Sequence, residues 1–298
     1  MNNFVSGFIA IVGRPNAGKS TLLNSLIQQK ISIVSPKPQT TRDAVLGIWT
    51  DENCQMVFVD TPGSIKPKNA LGDYMAKTIE RAVIDVDCIL LVIDGHDGIS
   101  EEEIELVKKY GAKNIPLVVA ITKTDIAQPE KLMPELSKLN EFSAIKEVYS
   151  VSAKRNRNID ELKNGLKKYL KSSEMFFPEE DITDKSERYI VCELIREKIL
   201  LCCEKEIPHG VGIVLNKMEY DENALIWDID ANIIVEKQSH KPIILGKQGK
   251  NIKEIGLRAR QSIEKMLDAR VYLALWVKVK EDWRDNPYML NEIGYKDK

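Results

Sequence analysis

The sequence predicts an α/β unit, a mostly parallel sheet wrapped by helices, followed by a smaller α+β unit. Three observations carry this. Between residue 7 and about residue 170, short β-branched runs alternate with helix-period runs, the pattern of strands joined by crossover helices. The stretch Ser-Ser-Glu-Met-Phe-Phe-Pro-Glu-Glu-Asp-Ile-Thr-Asp then breaks every period and carries acid against almost no base, as a linker does. Past it the order of runs is α-β-β-α-α-β. The expected domains are therefore residues 1–171 and 186–298, with a linker at 172–185.

With 298 residues, 43% hydrophobic and 30% charged, the chain is long enough for a well-buried core and is more naturally two domains than one. The first strand is the β-branched run from Phe8 to Val12, and an apolar-periodic helix follows Thr21. Residues 44–49 and 55–59 flank the polar turn Thr50-Asp51-Glu52-Asn53 and predict an antiparallel hairpin. Residues 88–94, 116–121 and 147–151 are continuous apolar runs, expected to be strands buried on both faces. Loops that act on a ligand then fall at the carboxyl ends of these strands. In the second unit the expected elements are a helix over about 186–203, strands near 212–218 and 224–235, a turn of helix near Ile243, a long helix over 250–267 and a strand over 271–279. Residues past Asp282, including Trp283 and Tyr295, are expected to pack back on this unit.

Composition excludes several classes. A formal net charge of −2 argues against nonspecific nucleic-acid binding by the molecule as a whole, so any such surface must be a local patch. The five cysteines form no C-x-x-C pair and sit mostly in apolar runs, so neither a disulfide framework nor a zinc site is indicated. His209, between Pro208 and Gly210, reads as a turn residue. No apolar run approaches the ~20 residues of a membrane span, and the amino terminus has neither a basic n-region nor a long h-region. The expected compartment is the cytoplasm, and nothing demands more than a monomer.

The first strand runs into Gly13-Arg14-Pro15-Asn16-Ala17-Gly18-Lys19-Ser20, followed by Thr21. Glycines at both ends let the backbone curl so that successive N–H groups point inward, and the helix opening near Gly18 aims its positive end at the same place. This is a cradle for phosphates, with Lys19 meeting the outer ones and the Ser20 hydroxyl able to ligate Mg²⁺. A second apolar strand ends in Asp60-Thr61-Pro62-Gly63. A carboxylate there can hold Mg²⁺ through its water, while the Gly63 N–H can approach the terminal phosphate with no side chain in the way.

Two later strands end in Thr122-Lys123-Thr124-Asp125 and Ser152-Ala153-Lys154. A carboxylate at Asp125 can accept two hydrogen bonds from guanine's ring N–H and exocyclic amine, which adenine does not supply in the same places. The wrong base would leave a buried charge unpaired, a penalty of several kcal/mol. The aliphatic stem of Lys123 can cover one face of the base, and the Ala153 N–H can donate to the carbonyl oxygen that only guanine has.

In the second unit, Gly246-Lys247-Gln248-Gly249 stands between a short and a long helix. Its glycines admit phosphates to the backbone, and the helix beginning near Lys250 presents its positive end. From position 241 to 270 there are eight Lys or Arg (241, 247, 250, 253, 258, 260, 265 and 270) against three acids (254, 264 and 268). Ile252, Ile255, Ala259, Ile263 and Met266 recur at helical spacing and are assigned to core, which leaves the basic residues, Lys253 among them, outside. This is the local patch that the global charge hid.

The ordered set GRPNAGKS, QTTRD, DTPG, TKTD and SAK looks like the guanine-nucleotide loops of the translation-factor-related P-loop GTPases. The α-β-β-α-α-β unit with its G-x-x-G turn resembles a type II KH domain, a fold that clamps about four single-stranded nucleotides by the backbone. Together they make the chain similar to the Era family of bacterial GTPases over essentially its whole length. The resemblance implies a GTP-hydrolysing switch, cycling between GTP and GDP with Mg²⁺, whose nucleotide state governs the presentation of its RNA-binding domain. It implies as partners the 3′ end of 16S ribosomal RNA and the small ribosomal subunit, and it extends to peripheral contact with the inner face of the cell membrane. It further implies that a threonine of the loop Ser35–Asp43, Thr41 rather than Thr40, joins the Mg²⁺ shell of Ser20 and Asp60 only with the third phosphate present. Lys19, Asn16, Thr41 and Gly63 would serve catalysis. Ser64 and Ile65 follow Gly63, so the glutamine that orients water in Ras-like enzymes is missing and unaided hydrolysis should be slow. Asn16 suggests by resemblance a K⁺ ion that neutralises developing charge. The family usually has Asn where this chain has Thr122, whose single hydroxyl can still tie its loop to the cradle. Two other readings stand beside this one: an ATP-using phosphotransferase on the same sheet, against which Asp125 argues, and an RNA-binding module whose nucleotide domain only binds.

Overall fold

A computed structural model describes residues 4–203 and 210–295, so His209 lies outside the described residues. The chain forms two compact units. The first carries a six-stranded sheet in the order β2-β3-β1-β4-β5-β6, built from β1 (Val5–Gly13), β2 (Val45–Asp51), β3 (Cys54–Asp60), β4 (Cys88–Asp94), β5 (Leu117–Thr122) and β6 (Ile145–Ser150). All pairs are parallel except β2 with β3, the predicted hairpin, in register from Val45↔Asp60 to Asp51↔Cys54.

Helices α1 (Lys19–Ile27), α2 (Ala70–Ala82), α3 (Glu101–Gly111), α4 (Pro129–Leu139) and α5 (Ile159–Lys167) supply the crossovers. Alternation along β1 splits the core between the two faces. Ile9 and Ile11 join Leu22, Leu26 and Leu162 on one side, whereas Ala10 and Val12 join Val83, Val107 and Tyr110 on the other. Strands β4 and β5 are buried throughout, as their unbroken apolar runs predict. β6 is not: as the last strand of the sheet it alternates half-buried and exposed positions, which corrects the expectation of burial on both faces.

The stretch 172–185 contains no helix or regular strand, yet it lies along the first unit's sheet. Ser6 and Ser172 exchange backbone bonds at 2.8 and 3.0 Å, and the Ile48 N–H donates to the Ile182 carbonyl at 2.9 Å. Gln55, fully buried, satisfies its amide on the Phe176 and Phe177 backbone. The Phe176 ring meets that of Phe8, centroids 4.9 Å apart and planes tilted by 60°. Backbone bonds, the Gln55 amide and the Phe176–Phe8 contact hold the acidic stretch down, and the compact unit runs to Asp184.

The second unit has a three-stranded sheet, β7 (Val211–Asp221), β8 (Ile226–Val235) and β9 (Arg270–Val279), in that order. β7 and β8 are antiparallel, whereas β8 and β9 are parallel. Helices α6 (Glu187–Cys202), α7 (Lys241–Leu245) and α8 (Lys250–Leu267) complete the predicted order, and Val191, Ile195, Ile199, Ile229, Ile233, Ile255 and Ile263 form the core. Ser186 caps α6 by accepting the Tyr189 N–H. The tail packs back as expected: Trp283 is fully buried and its Nε1 donates to the Gly210 carbonyl at 3.0 Å, ahead of α9 (Pro287–Ile293). Two short segments, Ser35–Thr40 and Pro67–Tyr74, belong to this unit's compact body. Buried Arg196 of α6 donates to the Thr40 carbonyl, and the Ala70 N–H donates to Asp285 at 3.0 Å.

Candidate functional site

In the first unit β1 delivers the chain into Gly13, and α1 begins at Lys19 with Gly18 as its N-cap. No side chain caps α1, so its first N–H groups are open to an anion. Asn16 holds a left-handed backbone (φ 63°) in the curl, and Thr21 is half-buried in the first helical turn. Lys19 is buried, with Nζ donating to the carbonyls of Gly13 at 3.1 Å and Arg14 at 2.9 Å. Burial brings its pKa down to about 8 against the pull of Asp60.

Three hydroxyls and a carboxylate meet beside it. The Ser20 Oγ donates to Asp60 Oδ2 at 2.7 Å and lies 2.8 Å from the Thr41 Oγ1. The Ser32 Oγ also donates to Asp60 Oδ2, at 3.0 Å. Burial raises the pKa of Asp60, opposed by Lys19 and by these hydroxyls. Its other oxygen, Oδ1, is buried without a hydrogen-bond partner. An orphaned carboxylate oxygen among hydroxyls fits Mg²⁺, a hard cation that takes one or two protein oxygens plus phosphate and water. No cluster of three or more His, Cys, Asp or Glu suited to a metal occurs among the described residues. Thr40 stands apart from this group, its hydroxyl on the Lys37 carbonyl at 2.6 Å.

The loop after β3 lies against the cradle. The Thr61 hydroxyl donates to the Ile11 carbonyl at 2.8 Å, and the Ser64 N–H donates to the Gly13 carbonyl at 3.1 Å. Between them Pro62 leads to Gly63, where a Cβ would stand 2.7 Å from the Pro15 N and Cα; only glycine admits this approach. The loop after β5 is tied in from the other side. The Thr122 hydroxyl donates to the Ala17 carbonyl at 2.6 Å, tying this loop to the cradle. The Lys123 Nζ pairs with Asp94. Asp125 accepts the Ser152 hydroxyl at 2.6 Å, which holds its carboxyl below the usual aspartate range, with Lys154 and Arg155 adding to the effect. Ala153 is half-buried and Lys154 exposed beyond it. Direct bonds thus run from Thr41 through Ser20 to Asp60 and from Ala17 to Thr122, and Asp125 is joined to Ser152.

In the second unit Gly246 (φ 70°), Gln248 (φ 52°) and Gly249 (φ 76°) turn the chain from α7 into α8, whose amino end no side chain caps. Nothing stands within 4 Å of where a Gly249 Cβ would be. Lys247, Gln248, Lys250 and Lys253 are exposed around it. A groove of about 410 Å³ opens beside this turn, lined by Ile252, Lys253, Leu257 and Arg260 of α8 and by Tyr272 and Leu275 of β9.

Sequence reasoning missed Ser32, Asp94, Leu257 and Tyr272. Leu257 is an apolar residue on the helix face otherwise left to charges, a visible signal; the part of Asp94 depends on the register of β4 on β5. Ser32 has no signal in the sequence.

Residues 8–123 match the family described as 50S ribosome-binding GTPase, and residues 206–284 match the KH domain family. GTPase Era of Clostridium botulinum (strain Hall) is 44% identical over 293 residues, spanning 98% of this chain and 99% of that protein. GTPase Era of Clostridium kluyveri is 44% identical over 291 residues, with the same coverage. A crystal structure of Era in complex with MgGDPNP and nucleotides 1506–1542 of 16S ribosomal RNA superposes with a TM-score of 0.94 at 38% identity, covering 99% of this chain and all of that one. A single-residue variant of Aquifex aeolicus Era bound to GDP·AlF4⁻ superposes equally well, with a TM-score of 0.94 at 38% identity over 99% of this chain and all of that one. With a P-loop GTPase domain and a KH domain in this order and likeness over its whole length, the chain belongs to the Era family of GTPases, which hydrolyse GTP.

Proposed function

We propose that this protein is a GTP-driven switch that holds the single-stranded 3′ end of 16S ribosomal RNA in its second unit during assembly of the small ribosomal subunit. The observation that carries the reading is the set of bonds joining the loops at the carboxyl ends of β1, β3, β5 and β6 around an uncapped helix terminus.

In this reading the N–H groups of residues 16–21 cradle the phosphates and Lys19 exchanges its carbonyl partners for them. Ser20 and Thr41 would ligate Mg²⁺ and Asp60 would hold it through its water, and the ion when bound would neutralise charge on the outer phosphates. The Gly63 N–H donates to the terminal phosphate, and Asp125 with the Ala153 N–H selects guanine. Asn16 helps to hold K⁺ at the cradle, standing in for the glutamine this chain lacks after Gly63. Thr41 reports the third phosphate.

The RNA backbone runs over Gly246 and Gly249 with Lys247, Gln248, Lys250 and Lys253 facing its phosphates, and bases enter the groove between α8 and β9. We place this work in the cytoplasm, by a monomer, with peripheral contact at the inner face of the membrane. Among the described residues no helix is long and apolar enough to cross one.

The test is phosphate release by the full chain, from GTP and from ATP, in K⁺ and in Na⁺, with and without a short 16S 3′-end RNA and small subunits. Release from GTP alone, faster in K⁺ and faster with RNA and subunits, is expected. Release from ATP at a similar rate would overturn the base assignment, and equal rates in the two salts would remove the role of Asn16.

A further inference from the structure

Strand β4 ends at Asp94, which has no part in the reading above. Its register sets it beside Thr122 of β5, and it is buried. Its Oδ1 accepts the His96 N–H at 2.9 Å, and its Oδ2 accepts the Lys123 Nζ. Two further bonds join the same loops: the Gly95 N–H donates to the Thr122 carbonyl at 2.9 Å, and the Thr122 Oγ1 stands 3.1 Å from the Ile93 carbonyl.

A buried carboxylate requires a cation, and here the cation is the ammonium of Lys123. The lysine is thereby held at both ends, by a left-handed backbone (φ 55°) and by an anchor at the end of the neighbouring strand. Its four-carbon stem, otherwise among the most mobile of side chains, is fixed between them. We propose that Asp94 is a positioning residue for guanine binding, which lays the Lys123 stem out along the base site before the nucleotide arrives. The inference rests on the reading that this stem covers a face of guanine. Without the anchor the stem must be ordered at each binding event, a cost that falls on GDP and GTP alike and leaves the chemical step untouched.

The test is a double-mutant cycle on the full chain, read as the affinities for GDP and GTP and as the division between KM and kcat. Asp94→Asn keeps the acceptor for His96 and removes the charge. It should weaken both nucleotides roughly tenfold, in KM rather than kcat, as expected for the loss of one charged hydrogen bond. Lys123→Ala should weaken them at least as much, and Asp94→Asn added to Lys123→Ala should cost nothing further. Should Asp94→Asn fail to fold, Asp94→Thr, which still accepts the His96 N–H, takes its place. Normal binding by Lys123→Ala would end the base-covering reading and this inference with it. If Lys123→Ala is weak while Asp94→Asn binds normally, or costs the same tenfold in both backgrounds, the reading stands and the positioning role of Asp94 is overturned.

Discussion

The two units surround an uncapped helix amino end in opposite ways. In the first, the loop before α1 is bonded on all sides: Lys19 to carbonyls of its own loop, Thr122 to Ala17, Ser64 to Gly13, Ser20 to Asp60 and Thr41. In the second, the turn before α8 is open on its Gly249 side. Its Lys247, Lys250 and Lys253 are exposed. A site that must choose one base and align a phosphate for attack needs groups already in place. A site that grips a strand by its backbone needs access and charge, and it can leave the ordering to the strand. The same physical device serves both, and what surrounds it decides which task it performs.

The sharpest way to break the contrast is at the crowded end. Gly63→Ala forces a Cβ to within 2.7 Å of Pro15, so the loop must retreat from the cradle. GTP hydrolysis should fall on the order of a thousandfold, as when one transition-state donor is withdrawn, with GDP affinity nearly unchanged. Phosphate release and GDP calorimetry on one preparation check both halves. At the open end, Gly246→Asp combined with Gly249→Asp sets two charges where phosphates approach. Affinity for the 16S 3′-end RNA should fall about a hundredfold while GTP affinity stays the same. If RNA still bound normally in filter binding, the basic helix would be only a solvated face.

A smaller effect sharpens the account of the bonded loops. Thr122→Ala removes the hydroxyl that joins the base loop to Ala17, and nucleotide affinity should drop roughly tenfold, the worth of one buried hydrogen bond. Thr122→Asn, whose amide can still donate to the Ala17 carbonyl, should bind at least as tightly as the natural chain. The smallest is a pH shift. Ser152 holds Asp125 ionised below the usual aspartate range, so guanine affinity should persist as pH falls and be lost only as pH passes below that depressed pKa. In Ser152→Ala the loss should begin at higher pH, with little change at neutrality. Coincident pH profiles for the two proteins would show that the bond does not tune this carboxylate.

The contrast also explains what could be read from the sequence. That the loops after β1, β3, β5 and β6 belong together was legible because each ends an apolar strand, and the structure joins them through Ser20 to Asp60, Thr122 to Ala17 and Ser152 to Asp125. The helix Lys250–Leu267 was legible to the residue because its apolar positions keep one period and a glycine precedes it. Asp94 was not, since its part follows from the register of β4 on β5, a relation across the sheet that strand composition does not encode. Nor was the edge position of β6, for Val148 and Val151 look equally apolar whichever strand ends the sheet. The stretch around Phe176 was read by its acids, whereas its two aromatic residues and the buried Gln55 determine where it lies. The groove beside the G-x-x-G turn needed the meeting of Leu257 with Tyr272, which come from different elements.

The claim beneath all of this is that one carboxyl group, Asp125, selects the base. Titration calorimetry of the full chain with GDP and with xanthosine diphosphate, repeated on Asp125→Asn, addresses it directly. The natural protein should bind GDP and not the xanthine nucleotide, and the variant should reverse that order. Undiminished preference of Asp125→Asn for GDP would contradict the assignment.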